Sequence, residues 1–200
     1  MIHPIEAESY RILETRVDLS HLDPGPRVVV ERVIHASADP EYATSTVVDA
    51  AAVDAGVHAL LAGAPVLCDV EMVRSGISGV ATECCLADNA SADPDGPTRA
   101  ALGMRVAAAE HPTGAVVVVG CAPTALDEAL ALAAAGVFEP ALVIGLPVGF
   151  VGAAESKARL RASGLPAISN IGEKGGSAVA TAAVNALVRL AVPPSEGTAS

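Results

Sequence analysis

The feature that most constrains this chain is a regular alternation of short apolar runs, rich in β-branched residues, with longer runs rich in alanine and leucine. The short runs are typical of strands buried on both faces, and the long ones are typical of helices. The predicted strands are 65–70, 81–86, 115–119, 141–146 and 166–169. The predicted helices are about 47–62, 98–109, 124–135, 153–163 and 177–190, preceded by two at about 5–16 and 26–36. This order predicts an α/β fold with a three-layer, mainly parallel, doubly wound sheet of about five strands.

The chain length suits one domain. Its 200 residues are 52% hydrophobic, enough for a sizeable core, and we assign residues 1–190 to a single domain. The 81–86 strand follows its predecessor after a short connection, so it is either antiparallel or an edge strand. The segment 88–97 reads as a loop, and the tail 191–200 is expected to be disordered.

The charge and hydropathy argue against nucleic-acid partners, anionic membrane surfaces and a membrane-spanning helix. A formal net charge of −11 disfavours nucleic acid and anionic membrane surfaces, because both would be repelled. The mean hydropathy of +0.48 is high, yet the longest uncharged apolar stretch, 140–154, is too short to span a membrane. The N-terminal sequence lacks a basic-then-apolar signal pattern, so we expect a cytoplasmic location.

The four cysteines predict no metal site. Cys68, Cys84, Cys85 and Cys121 show no CxxC spacing and no neighbouring histidine that would complete a zinc site. We expect reduced and mostly buried thiols, with adjacent Cys84 and Cys85 on opposite faces of a strand. Cys121 is the least certain of the four, since it lies where a strand runs into a loop.

Three turns at predicted strand ends are candidates for ligand binding. Ligands of doubly wound sheets bind beyond the carboxyl ends of the strands. There, GCAPTA, GLPVGFVGAAESK and SNIGEKGGSA each pass from a strand through a turn into a helix, which presents backbone N–H groups to an anion. For each single glycine, an ordinary tight turn is the alternative. Neither GxGxxG nor GxxxxGK[ST] occurs, so a nucleotide-dependent oxidoreductase is disfavoured.

Two cations at helix starts are candidate anion ligands. Arg99 stands in the first turn of a predicted helix, where a cation is unfavourable unless an anion is nearby. One interpretation is a bound carboxylate, and the other is a solvated arginine or one paired with Asp93 or Asp95 of the preceding loop. Lys174 lies in a glycine-rich loop that enters a helix, and the same two interpretations apply.

His35 is the candidate for proton chemistry. It follows Arg32 by three residues in an apolar helical pattern, so the two share a helix face. A hydrogen-bonded structural histidine is the alternative. Ser9 of the first helix would add a hydroxyl to the same pocket if the two N-terminal helices pack over the rim of the sheet. No GxSxG motif supports acyl transfer.

Five segments together resemble the precorrin-8X methylmutase family, which includes the cobalt-precorrin-8 methylmutases of cobalamin biosynthesis. They are ERVIHASADPEYA, AGAPVLCDVEMVRSGI, APTAL, ALVIGLPVGFVGAAESK and GEKGGSAVATAAVNAL. The resemblance extends from about residue 5 to residue 190. It implies an isomerase that moves a methyl group from C-11 to C-12 of a corrinoid macrocycle and that works as a homodimer without metal or nucleotide cofactor.

The resemblance also implies roles for individual residues. The family's catalytic histidine maps onto His35, and its substrate-contacting serine and arginine map onto Ser9 and Arg32. We add Arg99 and Lys174 as candidate clamps for the carboxylates that edge the substrate. Two departures leave the finer contacts open: Cys121 stands where asparagine is common in the family, and Ser78 stands where threonine is common. A corrinoid carrier without catalytic activity is the competing hypothesis, and the sequence does not distinguish a cobalt-free from a cobalt-containing substrate.

Overall fold

The computed structural model describes residues 3–86 and 96–191. Asp93, Asp95, most of the predicted 88–97 loop and all of the predicted disordered tail except residue 191 lie outside these ranges.

The described strands form one sheet in the order β1-β6-β5-β4-β2-β3. Their bounds are β1 Thr46–Val47, β2 Val66–Cys68, β3 Thr82–Cys84, β4 Val116–Val119, β5 Leu142–Gly145 and β6 Ala167–Asn170. All neighbouring pairs are parallel except β1 with β6. The α/β, doubly wound prediction is therefore confirmed, with six strands instead of about five. The uncertain strand, β3, is an edge strand and runs parallel to β2.

The described helices alternate with the strands. Their bounds are α1 Pro4–Arg16, α2 Pro24–Ser37, α3 Tyr42–Ser45, α4 Ala50–Leu61, α5 Glu71–Gly76, α6 Arg99–Glu110, α7 Pro123–Ala134, α8 Ala153–Ala162 and α9 Ser177–Ala191.

The predicted helix over 47–62 was wrong at its start. Asp49 caps α4 by accepting a hydrogen bond from the backbone N–H of Ala52, so the helix begins at Ala50. The residues before Asp49 are extended instead, and they add β1 beside β6, with Thr46 opposite Asn170. The short helices α3 and α5 also escaped prediction, since four and six residues are too few to show a helical period.

Side chains of the central strands alternate between two cores. Val116 and Val118 pack in the core that α2, α4 and α9 cover, whereas Val117 and Val119 pack in the core that α6, α7 and α8 cover. The three predicted layers are therefore present. Helix α1 packs on α2 and so lies outside the first helical layer.

The cysteines follow the prediction in part. All four are free thiols. Cys68 and Cys85 are buried in the two different cores, and burial raises the pKa of each to about 12. Cys84 is partly buried, and Cys121 is exposed.

No group of histidine, cysteine and acidic residues with metal-binding geometry occurs within the described ranges. In the same ranges, none of the helices combines the length and apolarity that crossing a membrane requires.

Candidate active site

The crossing of α1 and α2 brings Ser9 against His35. Ser9 Oγ and His35 Nδ1 lie 2.8 Å apart, which is hydrogen-bond distance. Helix α1 is fixed in place by Leu13, which is buried one turn after Ser9. Helix α2 buries its apolar face, including Val33 and Ile34, so His35 lies at the edge of that face and is partly exposed. The predicted pairing of the two helices is therefore present.

Tyr10 connects His35 to Arg32. Its ring stacks on the imidazole with 5.0 Å between centroids and 13° between planes. Arg32 Nη1 donates a long hydrogen bond of 3.4 Å to the phenolic oxygen of Tyr10. The arginine therefore reaches the Ser9–His35 pair through this ring. Sequence reasoning missed Tyr10, although it is one of only two tyrosines and directly follows Ser9.

Arg32 also forms an ion pair that sequence reasoning missed. Its Nη1 lies 3.0 Å from Glu6 Oε1, and Arg189 Nη1 of α9 lies 3.3 Å from the same oxygen. Three helices thus contribute one side chain each to this cluster. The sequence separation between Glu6 and Arg189 hides the contact from any local pattern.

The Ser9–His35 pair suits proton transfer. If Ser9 donates to Nδ1, the neutral ring carries its proton on Nε2, and if the ring is protonated, Nδ1–H donates to Ser9 Oγ. Ser9 therefore serves as partner in both states. His35 Nε2 makes no hydrogen bond to any residue that the structure describes, which leaves it to a ligand. A cavity of about 100 Å³ adjoins the pair and is walled by Ile12, Leu13 and Ile34.

The same pair does not suit acyl transfer. Ser9 lies in the middle of α1, where the backbone N–H groups are hydrogen-bonded within the helix. No pair of backbone donors is therefore available beside its Oγ for an oxyanion.

Lys174 lies beside the segment that follows α2, but it is ion-paired. Its Nζ is 2.7 Å from Asp39 Oδ2 and 2.7 Å from Glu41 Oε2. Hydrogen bonding to these carboxylates raises the pKa of Lys174 above its ordinary range, and the same bond lowers the pKa of Asp39. Lys174 therefore connects the loop before α9 to the segment after His35.

Arg99 lies on the other side of the sheet. It is exposed at the first position of α6, next to the capping residue Thr98, whose Oγ1 accepts from the N–H of Ala101 at 3.2 Å. Helix α6 packs in the layer opposite to α2. The structure thus brings Ser9, Arg32 and His35 together, places Lys174 next to them and separates Arg99 from them.

The GCAPTA turn binds an anion from its own chain. Asp69 is fully buried after β2, and its carboxylate accepts from the N–H groups of Gly120, Cys121 and Ala122 at 3.1, 2.8 and 2.7 Å. Burial raises the pKa of Asp69, while the three N–H donors act in the opposite direction. An aspartate at the carboxyl end of the predicted 65–70 strand was the sequence signal for this role.

Lys157 is a second buried charge that sequence reasoning missed. Its Nζ donates to Asn170 Oδ1 at 3.0 Å and to the carbonyl of Lys174. Burial, followed by the nearby charge of Arg161, lowers its pKa to about 8. The side chain thereby fixes the loop between β6 and α9, which carries Lys174.

Comparisons with known proteins agree with this architecture. The family model described as precorrin-8X methylmutase matches residues 4–190. A cobalt-precorrin-8 methylmutase of Methanothermobacter thermautotrophicus is 44% identical over 86% of this chain and 84% of its own. A precorrin-8X methylmutase of Pseudomonas aeruginosa is 39% identical over 92% of this chain and 93% of its own.

A solved structure supports the same assignment. The crystal structure of the precorrin-8X methylmutase from Thermus thermophilus superposes with a TM-score of 0.84 at 38% identity, covering 94% of this chain and 95% of that one. Together with the match of the family model to nearly the whole chain, these similarities show that the chain belongs to the precorrin-8X methylmutase family.

Proposed function

We propose that the protein is an isomerase of cobalamin biosynthesis that moves a methyl group from C-11 to C-12 of precorrin-8X or cobalt-precorrin-8. The product is hydrogenobyrinic acid, or cobyrinic acid when the ring carries cobalt. The observation that carries this proposal is the Ser9–His35 pair at 2.8 Å with Tyr10 stacked on the imidazole, in a chain of this family.

His35 is the proposed proton donor and acceptor at the macrocycle. An intramolecular methyl shift needs no covalent nucleophile, but it changes the conjugation of the ring, and an acid in contact with the ring stabilises that change. Ser9 fixes the Nδ1 side of His35, so proton exchange takes place at Nε2. Tyr10 restricts rotation of the imidazole by stacking on it.

The remaining candidate residues are proposed to bind the peripheral carboxylates of the substrate. Arg32 lies nearest to the Ser9–His35 pair, through Tyr10. Lys174 shares its ammonium between two protein carboxylates, so a substrate carboxylate would compete with them. Arg99 remains a proposed contact on the opposite side of the sheet, and its substitution tests whether the substrate extends that far.

A homodimer is part of the proposal. The cavity beside His35, at about 100 Å³, is far smaller than the roughly 300–1,000 Å³ of small-molecule sites, so further walls are needed around a macrocycle. The loop before α8 exposes Phe150 and Val151 at 91% and 89% of their surfaces, which is unusual for adjacent apolar side chains. Light scattering on the purified protein tests the dimer.

The deciding experiment follows the visible spectrum of precorrin-8X after addition of the protein. Wild-type protein is expected to convert the substrate to the orange corrin product. His35→Ala is expected to bind the substrate without converting it, because the carboxylate contacts remain. His58→Ala, which changes an exposed histidine on α4, is the matched control and should retain full activity.

The same assay distinguishes the enzyme from a carrier. Binding by the wild type without any spectral conversion would favour the carrier, and normal turnover by His35→Ala would remove His35 from the catalytic role. Parallel runs with cobalt-free and cobalt-containing substrate identify the natural one. The cytoplasmic location and the single domain over residues 1–190 stay predictions, to be checked by cell fractionation and limited proteolysis.

A further inference from the structure

Two arginines from different helices converge on one carboxylate oxygen beside the candidate active site. Arg32 of α2 and Arg189 of α9 both donate to Glu6 Oε1, at 3.0 and 3.3 Å. Neither arginine is bound in a fork to the two oxygens of Glu6, which is the strongest arrangement for this pair of groups. The arginines therefore retain donor capacity for another carboxylate.

A cavity of about 340 Å³ adjoins these arginines. Its walls combine the aliphatic side chains of Val28 and Ala186 with the ring of Tyr10, and Arg32 and Arg189 supply the cations. Glu31 also lines it, but Glu31 is ion-paired with Arg27 at 2.7 Å. The lining itself thus holds two arginines and one glutamate, in a chain of net charge −11.

The position of this cavity relates it to the chemistry. Tyr10 lines it and also stacks on His35, so one aromatic side chain contacts both the cavity and the imidazole. A flat macrocycle that reaches His35 with one edge can therefore place a peripheral carboxylate near the two arginines. Such a carboxylate would compete there with Glu6, which accepts hydrogen bonds from the same two arginines.

We propose that Arg32 and Arg189 form a binding site for one peripheral carboxylate of the corrinoid, and that Glu6 is an internal carboxylate that competes for this site. The inference rests on the proposed function for the identity of the ligand. It adds Arg189 as a binding residue and gives Glu6 a role opposite to that of the arginines: the side chain weakens ligand binding and thereby favours release.

The test measures the dissociation constant of hydrogenobyrinic acid by visible titration, alongside an analogue whose peripheral carboxylates are amides. Arg189→Met is expected to weaken binding of the acid about tenfold, as removal of one charged hydrogen bond does. Glu6→Gln is expected to tighten binding of the acid about threefold to tenfold, because the amide no longer competes as an anion. Neither change should affect binding of the amide analogue.

The control variant is Arg159→Met, which breaks an ion pair with Asp127 on the other helical layer. Arg159 is 54% exposed and Arg189 is 44% exposed, so the two substitutions are matched in surface position. The double variant Glu6→Gln/Arg189→Met separates competition from simple repulsion. Competition predicts that the Glu6→Gln gain shrinks when Arg189 is absent, because only Arg32 is then left to be released, whereas through-space repulsion predicts that the full gain remains.

Three outcomes would overturn the inference: weaker binding by Glu6→Gln, an undiminished gain in the double variant, or an Arg189→Met effect no larger than that of Arg159→Met. The first would mean that Glu6 only fastens α1 to α2 and α9. Far-ultraviolet circular dichroism of each variant checks that α1 stays folded. Turnover is recorded separately. Normal turnover without the expected changes in binding refutes only this inference. The expected changes in binding without turnover refute only the proposed activity.

Discussion

The buried ammonium of Lys157 makes a quantitative prediction about stability and pH. Lys157 is fully buried, and its pKa falls from the ordinary 10.5 to about 8 because burial disfavours the charged form. Between these two values the unfolded chain binds a proton that the folded chain has released. The folded state therefore becomes more stable as pH rises through this range, and this contribution is lost as pH falls through 8.

The magnitude follows from the two pKa values. Integrating the proton uptake of a lysine with pKa 10.5 unfolded and about 8 folded gives a gain of about 2 kcal/mol in unfolding free energy between pH 7 and pH 9.5. Lys157→Met keeps an unbranched side chain and removes the titrating group. It also takes a donor from Asn170 Oδ1, at a cost of about 1–3 kcal/mol that does not depend on pH.

The assay is urea unfolding of wild type and Lys157→Met at pH 7 and pH 9.5. The chain has no tryptophan, so circular dichroism at 222 nm is the suitable signal. At pH 7 the relief of the buried charge offsets much of the lost hydrogen bond. At pH 9.5 the variant should be less stable relative to wild type by about a further 2 kcal/mol. An equal difference at the two pH values, or a smaller one at pH 9.5, would refute the assignment of Lys157 as a buried group with a lowered pKa.

Substitutions at three further positions test the site and its surroundings. Asp69→Asn is expected to lower the unfolding free energy by about 1–3 kcal/mol, because an amide NH2 would face backbone N–H groups that now have a carboxylate; an unchanged urea midpoint would contradict this. Tyr10→Leu should reduce turnover by up to about tenfold through loss of the stack on His35, whereas Tyr10→Phe, which keeps the ring, should retain most of it; equal effects in steady-state kinetics would argue against the stacking role. Lys174→Met is expected to raise KM while leaving kcat and the urea midpoint nearly unchanged, since its ion pairs are exposed; a fall in kcat alone would place Lys174 outside carboxylate binding.

The layered fold was predictable because its signals are local. Both faces of an uninterrupted apolar run such as 116–119 must be removed from water, and that requires helices on both sides of the sheet. Strand β1 was not predictable, because it has no such local signal. Its two residues contain no period, and their extended form depends on the backbone of Asn170, more than a hundred residues away.

The candidate site likewise has residues that the sequence indicates and partners that it does not. Helical spacing made Ser9, Arg32 and His35 candidates, the resemblance to a known family implied their roles, and the structure brings them together. The partners that give these residues their geometry were invisible in the sequence, since Glu6 and Arg189 meet only where three helices pack. The burial of Lys157 was not predicted because a lysine in a polar helix is usually exposed. Only its contacts with the following loop explain why it is buried.

Several backbone donors at the rim of the sheet, where an anionic substrate could bind, are occupied by groups of the chain itself. A doubly wound sheet ordinarily offers N–H groups at its carboxyl edge. Here Asp69 occupies those after β4, and the next two loops bind each other, with Gly149 N–H donating to the carbonyl of Glu173 and Gly176 N–H to that of Leu146. A Cβ on Gly175 would clash with the carbonyl oxygens of residues 146 and 147, so this contact between the loops depends on glycine. These backbone donors therefore already have acceptors within the chain, whereas α2 and α9 supply a pair of guanidinium groups at the cavity lined by Tyr10, the ring that stacks on His35.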